Sequence, residues 1–123
     1  MSLNITLPFP PSLNRYWRHV VIGRSARVLI SKEGREYREA VTRHIATLGL
    51  GPAMTNRLSV HIKVYPPDRR QRDLDNMLKA ALDAIQAAGV FENDGQIDEL
   101  TVRRRKMLKG GQITVDIYDI EPP

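Results

Sequence analysis

Apolar and polar residues alternate in two stretches of the chain. The first is Leu3-Asn4-Ile5-Thr6-Leu7, and the second is Leu58-Ser59-Val60-His61-Ile62-Lys63-Val64. A period of two is typical of a half-buried strand, because successive side chains of a strand point to opposite faces. Prolines follow both stretches and cannot continue a strand ladder. We therefore predict strands over residues 3 to 8 and 58 to 64.

Two other stretches repeat apolar residues every three to four positions. The repeating residues are Tyr37, Val41, Ile45 and Leu48 in one stretch and Leu74, Leu78, Ala81, Leu82 and Ile85 in the other. This spacing is typical of an amphipathic helix. Ser31 is a favourable N-cap for the first helix, and Gly49 and Gly89 are suitable residues to end the two helices. We predict helices over residues 32 to 48 and 75 to 88.

Four further stretches have strand-like composition and complete the predicted fold. Residues 16 to 21 and 27 to 30 flank Gly23, which favours a loose hairpin or an extended arm. Residues 100 to 107 and 113 to 118 are joined through Lys109-Gly110-Gly111, so we predict a closing hairpin. The order β-(β-β)-α-β-α-β-β indicates an α+β fold with a mixed β-sheet and two main helices. A chain of 123 residues has the length of one domain, spanning residues 1–123.

The formal net charge of +5 is unevenly distributed along the chain. Residues 12 to 27 contain four arginines and no acid, and residues 101 to 110 contain three arginines, two lysines and no acid. Such segments favour a polyanionic partner, although a solvated surface has the same composition. The absence of cysteine excludes disulfides and thiolate metal sites, and no stretch approaches the about 20 apolar residues that cross a bilayer. We expect a cytoplasmic protein without a membrane segment.

Acids and arginines cluster where the second predicted helix begins. Arg69, Arg70 and Arg72 precede two carboxylates, Asp73 and Asp75. In a continuous helix these two acids would lie about 200° apart, but at a loop-to-helix junction both can face one hard cation such as Mg²⁺. The arginines suit the phosphates of a nucleic acid. The segment therefore predicts a metal-dependent site of phosphate chemistry.

Three more residues belong to this hypothesis. Asp75 or Asn76 is expected to cap the helix. Lys79, one turn after Asp75, can neutralise charge on a reacting phosphate, whereas the alternative is an exposed Asp75–Lys79 ion pair contributing a few tenths of a kcal/mol. Mg²⁺ normally needs a third carboxylate, and Asp94 is the candidate if its loop folds back towards Asp73. The alternative is that Asn93-Asp94-Gly95 is simply a turn.

These motifs together resemble the RusA family of Holliday junction resolvases. The resemblance rests on Arg69-Arg70-Gln71-Arg72-Asp73-Leu74-Asp75-Asn76 with Lys79, and on Pro11-Ser12-Leu13-Asn14-Arg15-Tyr16. The opening Ile5-Thr6-Leu7-Pro8-Phe9-Pro10-Pro11, the Phe91-Glu92-Asn93-Asp94-Gly95-Gln96 segment and the Lys109-Gly110-Gly111 turn extend it over almost the whole chain. Gln71 interrupts the arginine run, and Asn93 stands where many members carry a second acid.

The resemblance implies a small homodimeric endonuclease that binds four-way DNA junctions and cuts two strands of like polarity symmetrically. It implies Mg²⁺ as cofactor, with Mn²⁺ as a possible substitute, and thus a role in recombination and repair. It assigns metal binding to Asp73, Asp75 and Asp94, and it assigns an essential role in catalysis to Lys79.

The remaining basic and aromatic residues are assigned to DNA contacts. We expect Arg69, Arg70 and Arg72 to contact phosphates, with Asn76 beside them, and we expect Asn14, Arg15 and Tyr16 to reach the junction centre. Trp17 is expected in the core or a dimer interface. Arg103, Arg104 and Arg105 lie on a predicted strand, so they cannot all face one DNA backbone.

Two hypotheses compete with the nuclease. In the first, the protein is a non-catalytic basic nucleic-acid-binding module whose Asp73 and Asp75 cap a helix and pair with arginines. In the second, it is a basic protein-interaction adaptor. Neutralising the acids would tighten nucleic-acid binding in the first case, and the second predicts little salt-dependent DNA affinity.

Overall fold

The computed structural model describes residues 2–121. Its strands are β1 (Ser2–Leu7), β2 (Trp17–Ile22), β3 (Ser25–Ile30), β4 (Arg57–Tyr65), β5 (Ile97–Arg104) and β6 (Gln112–Ile120). Its helices are α1 (Leu13–Tyr16), α2 (Lys32–Ala46) and α3 (Asp75–Ala87), and a 3-10 turn spans Asp94–Gln96. The α+β class and the two main helices are thus confirmed. The first strand, both helices and the central strand lie within a few residues of their predicted bounds.

One mixed sheet organises the core. Its strand order is β1-β6-β4-β5, with β4 antiparallel to β6 and parallel to β5. The even-numbered residues of β4 from 58 to 64 are buried against the two long helices, whereas His61 and Lys63 are exposed on the opposite face. The alternation of apolar and polar residues in β4 therefore indicates which face of the sheet the helices cover.

The predicted closing hairpin is wrong, because β4 lies between β5 and β6. The connecting loop, residues 105 to 111, is long enough to step over one strand, a span of about 10 Å. Hydrogen bonds hold it across the end of β4: Arg105 N–H donates to the Val64 carbonyl (2.8 Å), and Leu108 N–H donates to the Pro66 carbonyl (2.9 Å). The strand before the loop is also displaced, since β5 starts at Ile97.

The elements β4, α3 and β5 form a βαβ unit. Parallel strands need a crossover connection, and α3 supplies it. The loop from Pro66 to Leu74 therefore leaves the carboxyl end of β4, whereas the turn at Asp94 lies at the opposite end of the sheet, where β5 begins. This topology decides which acids can meet.

The two long helices begin differently. Ser31 caps α2 as predicted, because its Oγ accepts a hydrogen bond from Gly34 N–H (2.9 Å). The expected cap of α3 by Asp75 or Asn76 is wrong. Its preceding residue, Leu74, already has helical dihedral angles, and the N–H of Asn76 donates to the Asp73 carbonyl (3.3 Å). Asp75 is therefore the first residue of α3, and no side chain caps this helix.

Strands β2 and β3 form a separate two-stranded hairpin, which we call the arm (residues 17 to 30). Its turn uses Gly23 at φ 63°, a conformation that glycine adopts without strain. Ser31 N–H donates to the Tyr16 carbonyl (2.9 Å) and closes the base of the arm. The predicted hairpin or extended arm is thus confirmed.

Candidate active site

A cleft of about 830 Å³ opens at the carboxyl end of β4. The loop before α3 forms one wall, and the segment from Phe9 to Ser12 forms another. Five of the predicted site residues line it: Arg15, Arg70, Arg72, Asp73 and Asn76. Residues far apart in sequence are therefore brought together at the end of a parallel strand, where α/β units commonly bind ligands.

The two acids of the central motif sit at this end of the protein with their charges uncompensated. Asp73 lines the cleft, Asp75 opens α3, and both are exposed. Among residues 2–121, neither carboxylate forms an ion pair within 4 Å. A carboxylate in the first turn is favoured by the positive end of the helix dipole. These acids are thus free to bind a cation.

Lys79 is exposed on α3, one turn beyond Asp75. Its alternative role as the partner of Asp75 is not observed, since no ion pair joins these residues in the described structure. Its ammonium is therefore available to a bound substrate.

The guanidinium of Arg72 has a partner within the protein, and its expected contact with phosphate stays a prediction. It donates to both carboxylate oxygens of Asp68 (2.8 and 3.2 Å) and lies 5.4 Å from the ring centroid of Phe9. These bonds from Arg72, helped by a bond from Arg70 N–H, lower the pKa of Asp68 from 3.8 to about 2. Arg72 therefore fixes the shape of the loop that carries Asp73.

Arg104 strengthens the same loop by donating a hydrogen bond to the Arg72 carbonyl. That Arg103, Arg104 and Arg105 cannot all face one DNA backbone stays a prediction, and Arg104 has a contact within the protein. Arg69 and Arg70 remain exposed, and no ion pair engages either guanidinium in the part of the chain that is described.

Tyr16 is wrong as a DNA contact, because its side chain is completely buried. Its hydroxyl donates to Asp83 and accepts a hydrogen bond from Arg38 Nε (3.1 Å), while Arg38 and Asp83 form an ion pair of 2.7 Å. Burial, followed by the hydrogen bond to Asp83, raises the pKa of Tyr16. An aromatic residue beside arginines resembles a stacking platform in sequence, but here it anchors α1 to both long helices.

The neighbours of Tyr16 differ from it. Asn14 and Arg15 are exposed, and Arg15 lines the cleft. Trp17 is half-buried and packs against the core, with its ring centroid 5.1 Å from that of Tyr16. Trp17 thus contacts the core with part of its side chain, and the alternative of a dimer interface stays open.

Asp94 does not fold back towards Asp73 within the chain. Its N–H donates to Oε1 of Gln86 (2.9 Å), in the last turn of α3, whereas Asp75 is the first residue of that helix. Residues 75 and 86 of a helix lie about 16 Å apart at 1.5 Å per residue. Across residues 2–121, no three side chains of the His, Cys, Asp and Glu types lie close enough to hold one metal ion.

Hydrogen bonds within the turn hold the segment that carries Asp94. Asn93 Oδ1 accepts a hydrogen bond from Gly95 N–H (2.7 Å), and Gln96 Oε1 accepts one from Asn93 N–H (2.8 Å). These two bonds form a reciprocal capping box, so Asn93-Asp94-Gly95 does form the turn that was predicted as the alternative to a metal ligand. It also leaves the Asp94 side chain exposed, so turn and ligand are compatible roles.

Glu33 is a cleft residue that the sequence alone did not reveal. From the sequence, Glu33 indicated only the start of α2, because it is an acid in the first turn of that helix. The arm returns the chain to Tyr16, and this contact places the start of α2 beside Arg15. No local sequence signal encodes that juxtaposition.

The arrangement contradicts the contacts expected of a non-catalytic module. In that hypothesis Asp73 and Asp75 cap α3 and pair with arginines. Neither contact is found within the described chain, where the arginine ion pairs are those of Arg38, Arg57 and Arg72 with other acids.

The described residues also contain no helix long and apolar enough to cross a membrane.

Comparison with known proteins agrees with the resemblance drawn from the motifs. The family model described as Endodeoxyribonuclease RusA matches residues 8–118. The chain is 44% identical over 121 residues to the crossover junction endodeoxyribonuclease RusA of Shigella sonnei (strain Ss046), covering 97% of this chain and 96% of that protein. Identity is 42% over 121 residues to its namesake from Escherichia coli (strain K12), with the same coverage. It is 40% over 115 residues to that of Enterobacteria phage HK97, covering 94% and 92%.

Proposed function

This chain belongs to the RusA family of endodeoxyribonucleases, and on that basis we propose that it is a metal-dependent nuclease that resolves four-way DNA junctions by paired symmetric nicks. The observation that carries the proposal is the cleft in which the exposed Asp73 meets Arg15 and Arg70, at the start of the helix bearing Asp75 and Lys79. The relatives named above are themselves crossover junction endodeoxyribonucleases.

Exposed arginines around the cleft would hold the DNA backbone. Arg15 and Arg70 line the cleft, and Arg69 is exposed beside them. Guanidinium groups bind phosphate oxygens through paired hydrogen bonds, and their attraction is independent of base sequence. Asn14 and Asn76 add neutral donors near the same surface. We infer that these residues position a DNA strand across Asp73.

Asp73 and Asp75 fit a hard divalent cation, because both are exposed carboxylates that form no ion pair with another residue between 2 and 121. Mg²⁺ is the natural candidate and Mn²⁺ a substitute. When bound, such an ion lowers the pKa of water and polarises the scissile phosphate. Carboxylates of this kind would hold the ion while the arginines hold the strand.

The third ligand, Asp94, must come from a second copy of the chain if it is to join this site. Within one chain, the length of α3 separates it from Asp75. We infer a two-fold homodimer in which each Asp94 lies beside the partner's cleft, because two equivalent sites would match the two-fold symmetry of a four-way junction. Paired nicks in strands of like polarity follow from this symmetry.

Lys79 would act on the departing oxygen. Its ammonium carries a fixed positive charge one helical turn from Asp75, and it has no acidic partner in the described structure. Negative charge grows on the 3′-oxygen as the phosphodiester breaks, so a nearby cation lowers the barrier. The products would be a 5′-phosphate and a 3′-hydroxyl, which a ligase can rejoin.

The test incubates purified protein with a mobile four-way junction in Mg²⁺ and in EDTA, and compares Asp75→Asn with Asp116→Asn. Asp116 lies on β6, opposite His61 on the far face of the sheet, so its variant controls for loss of an acid outside the cleft. We expect symmetric nicks from the wild type and Asp116→Asn in Mg²⁺ alone, and binding without nicks from Asp75→Asn. Absence of Mg²⁺-dependent nicks in the wild type, with binding intact, would refute the proposal.

A further inference from the structure

Of the eight large apolar residues that are exposed in the described chain, four lie in the short arm. Val21 is 74% exposed, Ile22 and Val28 are each 56% exposed, and Leu29 is 44% exposed. Within the described chain the arm has no third strand, and its two strands pair only with each other. An isolated hairpin has marginal stability in water, and clustered exposed aliphatic residues mark a surface that meets a partner.

The charges of the arm identify the chemistry of that partner. Arg18, Arg24 and Arg27 lie in it, and no acid occurs between residues 12 and 32. Arg18 pairs across the strands with Leu29, and Arg27 pairs with Val20. Residues opposite one another share a face, and so do alternate residues of one strand, so Arg18 and Arg27 lie on the same face.

The unpaired arginines favour DNA over a second copy of this chain. In the described structure no acid within 4 Å neutralises the guanidinium of Arg18, Arg24 or Arg27. Two arms packed together would bring like charges into contact, which is unfavourable, whereas a polyanion complements them. Apolar side chains flanked by arginines are the combination with which architectural proteins open a base step and hold the adjoining phosphates.

The arm is fixed beside the cleft. Arg15, which lines the cleft, lies two residues before the arm, and Ser31 Oγ donates to the Arg15 carbonyl at its other end. Six residues per strand give a reach of about 20 Å from that base. A strand cut beside Asp73 and a branch point touched by the arm tip can therefore belong to the same junction.

We propose that the arm is a wedge for branched DNA. Val21 and Ile22 at its tip enter an unstacked step at the branch point, and Arg18, Arg24 and Arg27 bind the phosphates on either side. The wedge rests on the proposed function, because it presupposes that a DNA junction occupies the cleft. Linear duplex offers no open step, so the apolar tip contributes to selecting junctions over duplex.

The experiment measures binding in Ca²⁺ to a four-way junction that carries 2-aminopurine at the branch point, and to linear duplex of the same sequence. The variant is Val21→Ser with Ile22→Ser. The control is Leu48→Ser, since Leu48 is an exposed aliphatic residue (43%) outside the arm, after α2. We expect the variant to lose the rise in 2-aminopurine fluorescence and to bind junctions about ten-fold more weakly, because the buried apolar contact is lost. Duplex affinity should change less than about two-fold, as phosphate contacts dominate it.

The wedge would be overturned if the double variant showed the same fluorescence rise and the same junction affinity as the wild type. A wild-type dimer that becomes monomeric in the double variant by sedimentation would also overturn it, because the tip would then be an interface between copies. Thermal melting must match the wild type, as expected for side chains this exposed. The fluorescence readout is independent of cleavage. If the wild type nicks junctions and the double variant keeps wild-type fluorescence and affinity, the wedge alone is refuted. If the wild type unstacks the branch point but does not nick junctions in Mg²⁺, the proposed nuclease alone is refuted.

Discussion

Gly34 tests whether the base of the arm is held rigidly against α2. A Cβ added there would overlap the Tyr16 carbonyl oxygen and lie 2.8 Å from Cγ1 of Ile30. Both obstacles resist displacement. The Tyr16 carbonyl accepts hydrogen bonds from the N–H and Oγ of Ser31 (2.9 and 3.0 Å), and Ile30 ends β3.

The cost of Gly34→Ala can be worked out from these contacts. Overpacking against fixed atoms costs about 1–3 kcal/mol, and the obstructing backbone oxygen places this site at the upper end. Replacing glycine by alanine within a helix returns about 1 kcal/mol. We therefore expect the free energy of unfolding to fall by about 2 kcal/mol, with a melting temperature several degrees lower.

Gly51→Ala is the matched control. A Cβ at Gly51 meets nothing within 4 Å, and Gly51 does not have a positive φ. Its substitution should leave stability unchanged or raise it by about 0.4–1 kcal/mol through the unfolded chain. Urea unfolding followed by circular dichroism measures both variants. A Gly34→Ala protein as stable as Gly51→Ala would refute the close packing at the base of the arm.

Four further predictions concern pH and catalysis. Burial raises the pKa of Tyr37. The stability that Tyr37 confers is therefore complete below about pH 10 and falls above it, by about 1.4 kcal/mol per pH unit. Above about pH 10, the free energy of unfolding should fall less steeply with pH in Tyr37→Phe than in the wild type. The pKa of Asp68 is lowered from 3.8 to about 2, so its contribution is present above pH 4 and lost as pH falls towards 2; Asp68→Asn should lack that acid-dependent loss in thermal melts. Lys79→Ala should reduce single-turnover cleavage by about 10²–10³-fold with junction affinity nearly unchanged; an equal loss of affinity would assign Lys79 to binding instead. Arg72→Gln should also slow cleavage, by loosening the Asp73 loop, and normal cleavage would contradict that positioning role.

Local physics made much of this fold predictable. The alternation around Val60 and the helical spacing of Tyr37 and Val41 are properties of single elements, and both appear at the predicted positions. The central motif, residues 68 to 76, could likewise be recognised in the sequence, because it combines acids and arginines within nine residues. Those predictions of strands, helices and a site at the start of α3 needed no knowledge of distant neighbours.

The failures arose where non-local contacts decide. Insertion of β4 between β5 and β6 depends on pairing across the whole chain, which a turn at Gly110 and Gly111 does not reveal. The burial of Tyr16 depends on Asp83, 67 residues away. The position of Asp94 depends on the direction of α3, and only the parallel pairing of β5 with β4 shows that it lies at the far end.

The central claim is that each active site combines Asp73 and Asp75 of one chain with Asp94 of a second copy. Mixed dimers of Asp75→Asn and Asp94→Asn chains, carrying different affinity tags and purified by both, test it most directly. One site of each mixed dimer would contain both substitutions, and the other would contain neither.

Each homodimeric variant should bind the four-way junction without cutting it. The mixed dimer should regain Mg²⁺-dependent nicking at one intact site, seen as single nicks on a denaturing gel, with the rate per intact site close to that of the wild type. A mixed dimer that binds junctions but remains inactive, under conditions in which the wild type cuts, would contradict the shared site.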